Sequence, residues 1–484
     1  MTALKGKCQR LCLKRSFKVV LACLAIALVG YGGVWLIFCK VNSDYYHTLP
    51  LMQIPQASRV LVVAPHNDDE MLTDSILIKR LLSQGSKVYF AIITNGDGFT
   101  PDIMLSSKKL NLTGSDYIRL GQLRERETIN GLALLGIPPE NIRFFGYPDR
   151  GCQEMLLYHW FIKAPYFDPW TRSSVVPYEN SNGDMPALAG ESLFKDIKTV
   201  LNEVSPDLII MPHPYDENLD HASVNAMMQF ALRSLGMDGI PQYLYLTHHA
   251  FNTWPQAMYP RNAGPYLVPP VNLRLSVTEW QILPITAEDK QLALNVIDQY
   301  PSQLIVDNKY LHSFARDNEL FAVYKQPVLQ YGKHTGDQIR PSVDNQICVT
   351  PTGSIFSRSA DDAKHIKALY GEISTDGILH LMLETIGSVN PKVIYQFMLI
   401  SESNSGEISH STITVQNGQV YTVGFDSSID LVQTNEAWIH LAIPYSEFVD
   451  TKSCIIQTSA SIFERVESKT IWQELIFPPQ NALP

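Results

Sequence analysis

Val60 to Ala64 is an unbroken apolar run, and it ends in Pro65-His66-Asn67-Asp68-Asp69-Glu70. A strand with no polar alternation buries both faces, which is the condition of a central strand in a parallel sheet. A helical pattern follows at once through Met71, Leu72, Ile76, Leu77 and Leu81, closed by Gly85. An imidazole and two carboxylates therefore fall at the carboxyl end of a buried strand, where open α/β sheets bind their ligands. His with Asp is ordinary ligand chemistry for a divalent first-row metal, and one carboxylate is left over to act on water. The bland alternative is a strand-to-helix turn in which an Asp caps the helix and His66 is solvated.

A second stretch repeats this architecture. The apolar strand Asp207 to Met211 runs into Pro212-His213-Pro214-Tyr215-Asp216-Glu217-Asn218-Leu219-Asp220-His221, and a helix is expected from Ala222 to Leu235. If both strands share one sheet, their carboxyl ends face one crevice. His221 then completes a three-residue shell with His66 and Asp69, leaving a position open for water as catalytic zinc requires. Asp216 and Asp220 are placed to orient an imidazole from behind.

Between these stretches strands and helices alternate. Strands are expected at Lys87 to Thr94 and Asn141 to Gly146, and helices at Tyr117 to Leu135 and Glu191 to Glu203. This pattern is that of a doubly wound α/β protein with a mostly parallel, Rossmann-like sheet. Cys152 to Gly190 is rich in aromatic residues, Pro, Asn and Ser, and so long a loop is expected to shape a binding site or a lid.

The chain opens with a basic, acid-free leader carrying Lys5, Lys7, Arg10, Lys14, Arg15 and Lys18. Val19 to Cys39 is uncharged and mostly apolar, roughly the 20 residues a helix needs to cross a bilayer. It is too long for a cleaved signal peptide and has no Ala-x-Ala-like exit, so an uncleaved single-pass anchor is expected. The positive-inside bias puts the N-terminus in the cytoplasm and the body in a periplasmic, extracellular or lumenal compartment. Setting aside the six basic residues of the leader, 32 of 38 remain against 48 acidic ones. An acidic body argues against nucleic acid or anionic lipid headgroups as its main partner. The seven cysteines contain no Cys-x-x-Cys, which excludes a thiolate metal site and a disulfide framework. Cys348 and Cys454 can pair in an oxidising compartment, with three free buried thiols the alternative. Asn111-Leu112-Thr113 is a glycosylation sequon that matters only in a secretory pathway.

Four segments in order resemble the PIG-L/LmbE-like zinc de-N-acetylases, which remove acetyl groups from N-acetylglucosamine conjugates. Ala64 to Glu70 is similar to the family's Ala-His-Pro-Asp-Asp-Glu signature, and Arg124, Glu127, Leu135 and Gly136 to its Arg-x-x-Glu helix. Tyr147-Pro148-Asp149-Arg150-Gly151 resembles its Pro-Asp-Arg-Gly loop, and Asp216 to His221 its Asp-x-His-x-Asp-His segment. The resemblance spans roughly Arg59 to Lys325. It implies that His66, Asp69 and His221 bind zinc or another divalent ion, that Asp68 is the general base, and that Arg124 helps hold the carbonyl oxygen. Asp220 joins this catalytic set as a group that orients an imidazole. Two positions depart from the pattern. Asn67 replaces a Pro, and Asn218 stands where the family has a His beside the metal. An amide can donate to an oxyanion but cannot transfer a proton. His213, His248 and His249 are the candidates to replace that imidazole.

The expected organisation is a basic leader at 1–18, an anchor at 19–39, a linker at 40–57, a deacetylase domain at 58–327 and a β-rich accessory domain at 328–484. Thr286 to Tyr300 reads as an amphipathic helix late in the catalytic domain. In the last segment Val393 to Ile400, Trp438 to Ile443 and Cys454 to Ser459 read as strands. Asn417-Gly418 marks a hairpin between Ser411–Val415 and Val420–Phe425, so a β-sandwich is expected. The rival functional readings are a sugar-binding protein of the same fold that has lost its chemistry at Asn218, and a nucleotide-using Rossmann enzyme. The absence of Gly-x-Gly-x-x-Gly after the first strand counts against the latter.

Overall fold

The computed structural model describes residues 2–178, 185–275, 277–350, 364–435, 437–463 and 465–478. A seven-stranded sheet carries the site. Its strands are β1 (Arg59–Ala64), β2 (Lys87–Thr94), β3 (Ile142–Tyr147), β4 (Leu208–Pro212), β5 (Gln242–Tyr245), β6 (Thr278–Pro284) and β7 (Asn318–Tyr324), in the spatial order β3-β2-β1-β4-β5-β7-β6. The first five are parallel, and β7 and β6 close the edge antiparallel. β1 lies between β2 and β4, where the strand order reverses, so the two polar clusters leave neighbouring strands at the crevice of the sheet.

The unbroken apolar run divides between two cores. Leu61 and Val63 pack with Ile197, Val224 and Met228 on one face, and Val60, Val62 and Ala64 with Leu77, Leu81 and Val296 on the other. Each fully buried side chain of this kind contributes about 1.5–3 kcal/mol.

The helices differ from expectation in ways that matter to the site. α1 (Thr2–Tyr46) is a single long helix, with side chains described from Val20 onward. The helix after β1 is broken into α2 (Asp69–Leu72) and α3 (Ser75–Ser83), because buried Glu319 on β7 takes the first backbone N–H groups of α3, from Ile76 and Leu77 at 2.7 and 2.8 Å. α4 (Thr100–Ser107) forms where no helix was expected, with Pro101 in its first turn. α5 (Gly114–Leu135) starts three residues early on a capping box between Thr113 and Asp116, and ends at Gly136 with φ of 87°. α6 (Cys152–Leu157) opens the long loop, and α7 (Gly190–Val204) closes it. α8 (Leu219–Leu235) starts before Ala222, so Asp220 and His221 lie in its first turn. α9 (Ala287–Ile297) and α10 (Pro301–Leu311) precede β7.

Beyond β7 two antiparallel-rich sheets form a sandwich. One joins β8 (Gln330–Tyr331), β9 (Gln346–Val349), β10 (Ile366–Ile373), β11 (Ile378–Thr385), β15 (Asp430–Asn435) and β16 (Trp438–Pro444). The other joins β12 (Ile394–Ser403), β13 (Ile408–Gln416), β14 (Gln419–Val423), β17 (Thr451–Ile462), β18 (Arg465–Lys469) and β19 (Gln473–Glu474). The hairpin turns at Asn417 and Gly418 with φ of 51° and 73°, as its sequence signal implies. Arg233 on α8 meets Glu474 at 2.6 Å, tying the sandwich to the α/β domain. Cys152, Cys348 and Cys454 are buried and free, so the pairing considered for Cys348 and Cys454 is absent.

Candidate metal centre and active site

β1 delivers its polar residues through a strained turn. Asp68 has φ of 150°, a conformation an L-residue holds only when its surroundings enforce it. Those surroundings are specific. Glu70 accepts from the Asp68 N–H at 2.9 Å and from Tyr300 at 2.8 Å, and Gln303 donates to the carbonyl of Asn67. The Asn67 amide donates to Thr128 on α5 at 3.1 Å, replacing the rigidity of a proline with a tie to the neighbouring helix. Burial pushes the Glu70 carboxyl up to about 7.

The turn sets Asp69 inward, against His66 and His221. His66 Nδ1, His221 Nε2 and Asp69 Oδ2 lie 3.1, 3.2 and 3.0 Å from one another. Ligand atoms on a tetrahedral zinc with bonds near 2.0 Å stand roughly 3.3 Å apart, so this triangle fits a metal with little adjustment. The buried Oδ1 of Asp69 has no hydrogen-bond partner among the described residues. His248 offers a further ring nitrogen within 4.8 Å of these atoms.

Both imidazoles are oriented from behind. Asp216 sits 3.3 Å from His221 Nδ1 and is itself held by the N–H groups of Thr247, His248 and Asn218. Asp220 sits 3.2 Å from His66 Nε2 and accepts from the backbone N–H groups of Arg150 and Cys152. Asp220 thus ties the Pro148-Asp149-Arg150-Gly151 loop to the first turn of α8. Asp149 also faces His66 Nε2, at 3.4 Å.

Electrostatics follow from crowded, buried charge. Burial works against a charged His221, but the carboxylates of Asp216 and Asp69 outweigh it and raise its pKa to about 9. Burial opposes charge on His66 too, and the contacts with Asp149, Asp220 and Asp69 raise it well above the usual value. Burial would raise Asp69, yet the two imidazoles hold it well below the usual carboxylate range. Asp68 goes the other way, pushed well up by burial and by the charge of Asp69, with Arg124 opposing.

His66, Asp68 and Asp149 open on a cavity of about 320 Å³, large enough for one sugar ring. Asp68, Asn218, His248, Arg124, Arg150 and Asp307 line it with polar groups, and Phe99, Phe251 and Tyr310 supply apolar surface. Arg124 lines the cavity but is largely committed, donating to the Gly96 carbonyl at 2.7 Å and to Asp102. Asn218 caps α8, its Oδ1 accepting from Asp220 N–H at 2.9 Å, which leaves its NH₂ for other work.

Of His213, His248 and His249, only His248 lines the cavity. Its ring packs edge-on against His221 at 4.8 Å between centroids, and its Nδ1 meets Asn252 at 2.9 Å. His213 is buried, stacks on Trp280 and accepts from Tyr215 N–H. His249 is held by Glu217 and Asn272. The long loop has none of its described residues lining the cavity. Its Tyr178 bonds Asp97, and its Trp170 backs Arg150 and Gly98, so it props the wall. Asp149 was within reach of sequence reasoning through its motif; Asp307 and Tyr310 on α10 carried no local signal.

Residues 61–232 match the family model described as PIG-L, GlcNAc-PI de-N-acetylase. This region is a PIG-L family domain. No curated protein sequence matches the chain. Among solved structures, the A40926 pseudoaglycone deacetylase is 19% identical, with a TM-score of 0.35 over 55% of this chain and 96% of that one. The N,N'-diacetylchitobiose deacetylase of Pyrococcus horikoshii is 20% identical, with a TM-score of 0.34 over 55% and 84%. A zinc-inhibited form of teicoplanin deacetylase is 14% identical, with a TM-score of 0.34 over 55% and 98%. The PIG-L domain contains His66, Asp68, Asp69, Arg124, Asn218, Asp220 and His221.

Proposed function

We propose that the chain is a metal-dependent de-N-acetylase that removes the acetyl group from an N-acetylglucosamine-type conjugate, held to a membrane by α1. The observation that carries this reading is the triangle of His66 Nδ1, Asp69 Oδ2 and His221 Nε2, buried behind a sugar-sized cavity that His66 lines. Zinc, or another divalent ion, held there would supply Lewis acidity, activating water and polarising the acetyl carbonyl. Asp68 stands beside the triangle without belonging to it, so it is free to take the proton of the attacking water. Its raised pKa suits a group that returns this proton to the departing amine. Asp216 and Asp220 hold the two imidazoles in the tautomers that present Nε2 of His221 and Nδ1 of His66 to the centre. The free NH₂ of Asn218 and the guanidinium of Arg124 donate to the developing oxyanion.

The reading of a sugar-binding protein rests on Asn218. The position of His248 favours the enzyme: it places an imidazole, its pKa lowered by burial, on the same cavity wall beside the triangle. The decisive experiment is acetate release from N-acetylglucosamine conjugates by metal-loaded and metal-stripped protein. Release that depends on metal is expected. Stoichiometric metal with no turnover on any amino-sugar conjugate would leave the binding reading instead.

A further inference from the structure

We propose that the turn-rich segment 250–262 seats in the bilayer leaflet beside α1, so that the mouth of the catalytic cavity opens at the membrane surface. The inference rests on the reading that α1 crosses a membrane.

From Val20 to Gly30 α1 is exposed on every side, but its last turns dock on the body through one face, Gly32, Trp35, Cys39, Asn42 and Tyr46. The docking partners are this segment and the residues that follow it to Tyr266. Tyr31 donates to the Met258 carbonyl, Trp35 to that of Ala257 at 3.2 Å, and Asn42 to those of Arg261 and Ala263 at 3.0 and 2.9 Å. Tyr46 stacks on Tyr266 at 3.9 Å, which fixes the angle of the helix.

Depth follows from helix geometry. The apolar run Val19–Cys39 is roughly 30 Å long, only just enough to cross a hydrocarbon core. It cannot slide outward without drawing Lys18 and Arg15 into that core. Tyr31 lies about 12 Å along the axis from Cys39, so the Met258 backbone bound to it sits within the leaflet, not above it. Irregular backbone at that depth needs protein partners for its carbonyls, and the side chains of Tyr31 and Trp35 supply them.

The segment is composed for such a place. Although the chain carries a net charge of −10, no Asp or Glu occurs between Asp238 and Glu279, and the segment's one charged residue, exposed Arg261, lies beside Asn42 beyond the apolar run, at headgroup level. Met258 is 53% exposed, Tyr259 39% and Phe251 78%, an apolar edge that water would not favour. Ala250, Phe251 and Asn252 are all left-handed, with φ of 51°, 54° and 59°, and this strained turn holds Phe251 out from the body. Phe251 and Asn252 also line the catalytic cavity, which links the seated segment to its mouth.

The test uses the full chain in phosphatidylcholine vesicles, with a diazirine amino acid placed singly at 258, at 29 in the exposed part of α1, or at 343, exposed on the accessory region. Photolysis followed by mass spectrometry counts lipid adducts. Adducts at 258 as abundant as at 29, with none at 343, are expected. Adducts at 29 but none at 258 overturn the proposal while leaving the anchor intact. No adducts at 29 or at 258 remove the anchor reading, and the proposal falls with it.

Discussion

Metal uptake at His66, Asp69 and His221 should depend steeply on pH, because protons occupy the site first. In the metal-free site burial disfavours a charged His221, but Asp216 and Asp69 hold its pKa at about 9. At pH 7 an incoming metal must displace that proton at about 1.4 kcal/mol per pH unit, or about 3 kcal/mol, roughly a hundredfold in apparent affinity. His66, also raised, adds a second displaced proton. Competition with a chromophoric zinc chelator should therefore show affinity climbing about tenfold or more per pH unit from 7 to 9. Calorimetric titration at pH 7 in two buffers of different ionisation enthalpy counts the protons, and between one and two are expected. Affinity flat over this range, with no proton released, would refute the reasoning, since both imidazoles would then be neutral at pH 7. The same shift gives the stability of the metal-free chain a definite sign. A raised folded pKa contributes fully below the unfolded value of about 6.5 and is lost as pH rises toward 9, so the melting temperature of metal-free protein should fall across that window. Asp69, whose pKa is depressed, keeps its contribution there and loses it only in acid.

Asp68→Asn should keep its metal and lose about a hundredfold or more in turnover, the scale of general base catalysis, as read by acetate release and metal content together. Metal loss in that variant would mean that Asp68 is a ligand. Asp220→Asn should weaken metal binding by about 10–100-fold, because it loosens both His66 and the Arg150 loop while leaving all three ligand atoms in place. Unchanged affinity by chelator competition would deny it that role. His248→Ala should slow turnover and remove one limb of the pH–rate profile, whereas His213→Ala should act on melting temperature through its lost stacking on Trp280. Equal kinetic effects of the two changes would show that His248 is a packing residue.

Much of this protein is legible in its sequence, and the reason is local. The unalternated run Val60–Ala64 can satisfy itself only in a central strand, and a polar cluster after such a strand has one place to go in a doubly wound sheet. The repeat of that pattern at Asp207–His221 pointed to His221 as a neighbour of His66 and Asp69, which the structure brings together, and the Asn-Gly turn in the last segment named its hairpin. What the sequence could not show are facts of distance between segments far apart. Whether Asp69 or Asp68 faces the imidazoles depends on a backbone strain at Asp68 that Glu70, Tyr300 and Gln303 enforce from across the fold. Asp220 and Asp216 were named as imidazole partners, but only packing assigned Asp220 to His66 and Asp216 to His221. The choice of His248 over His213 and His249 is likewise tertiary, since three histidines after buried strands look alike until one ring turns into the cavity and the others are held by Trp280 or Glu217. Periodicity reports which face of an element is apolar; which neighbour that face meets is set by the close packing of the whole chain.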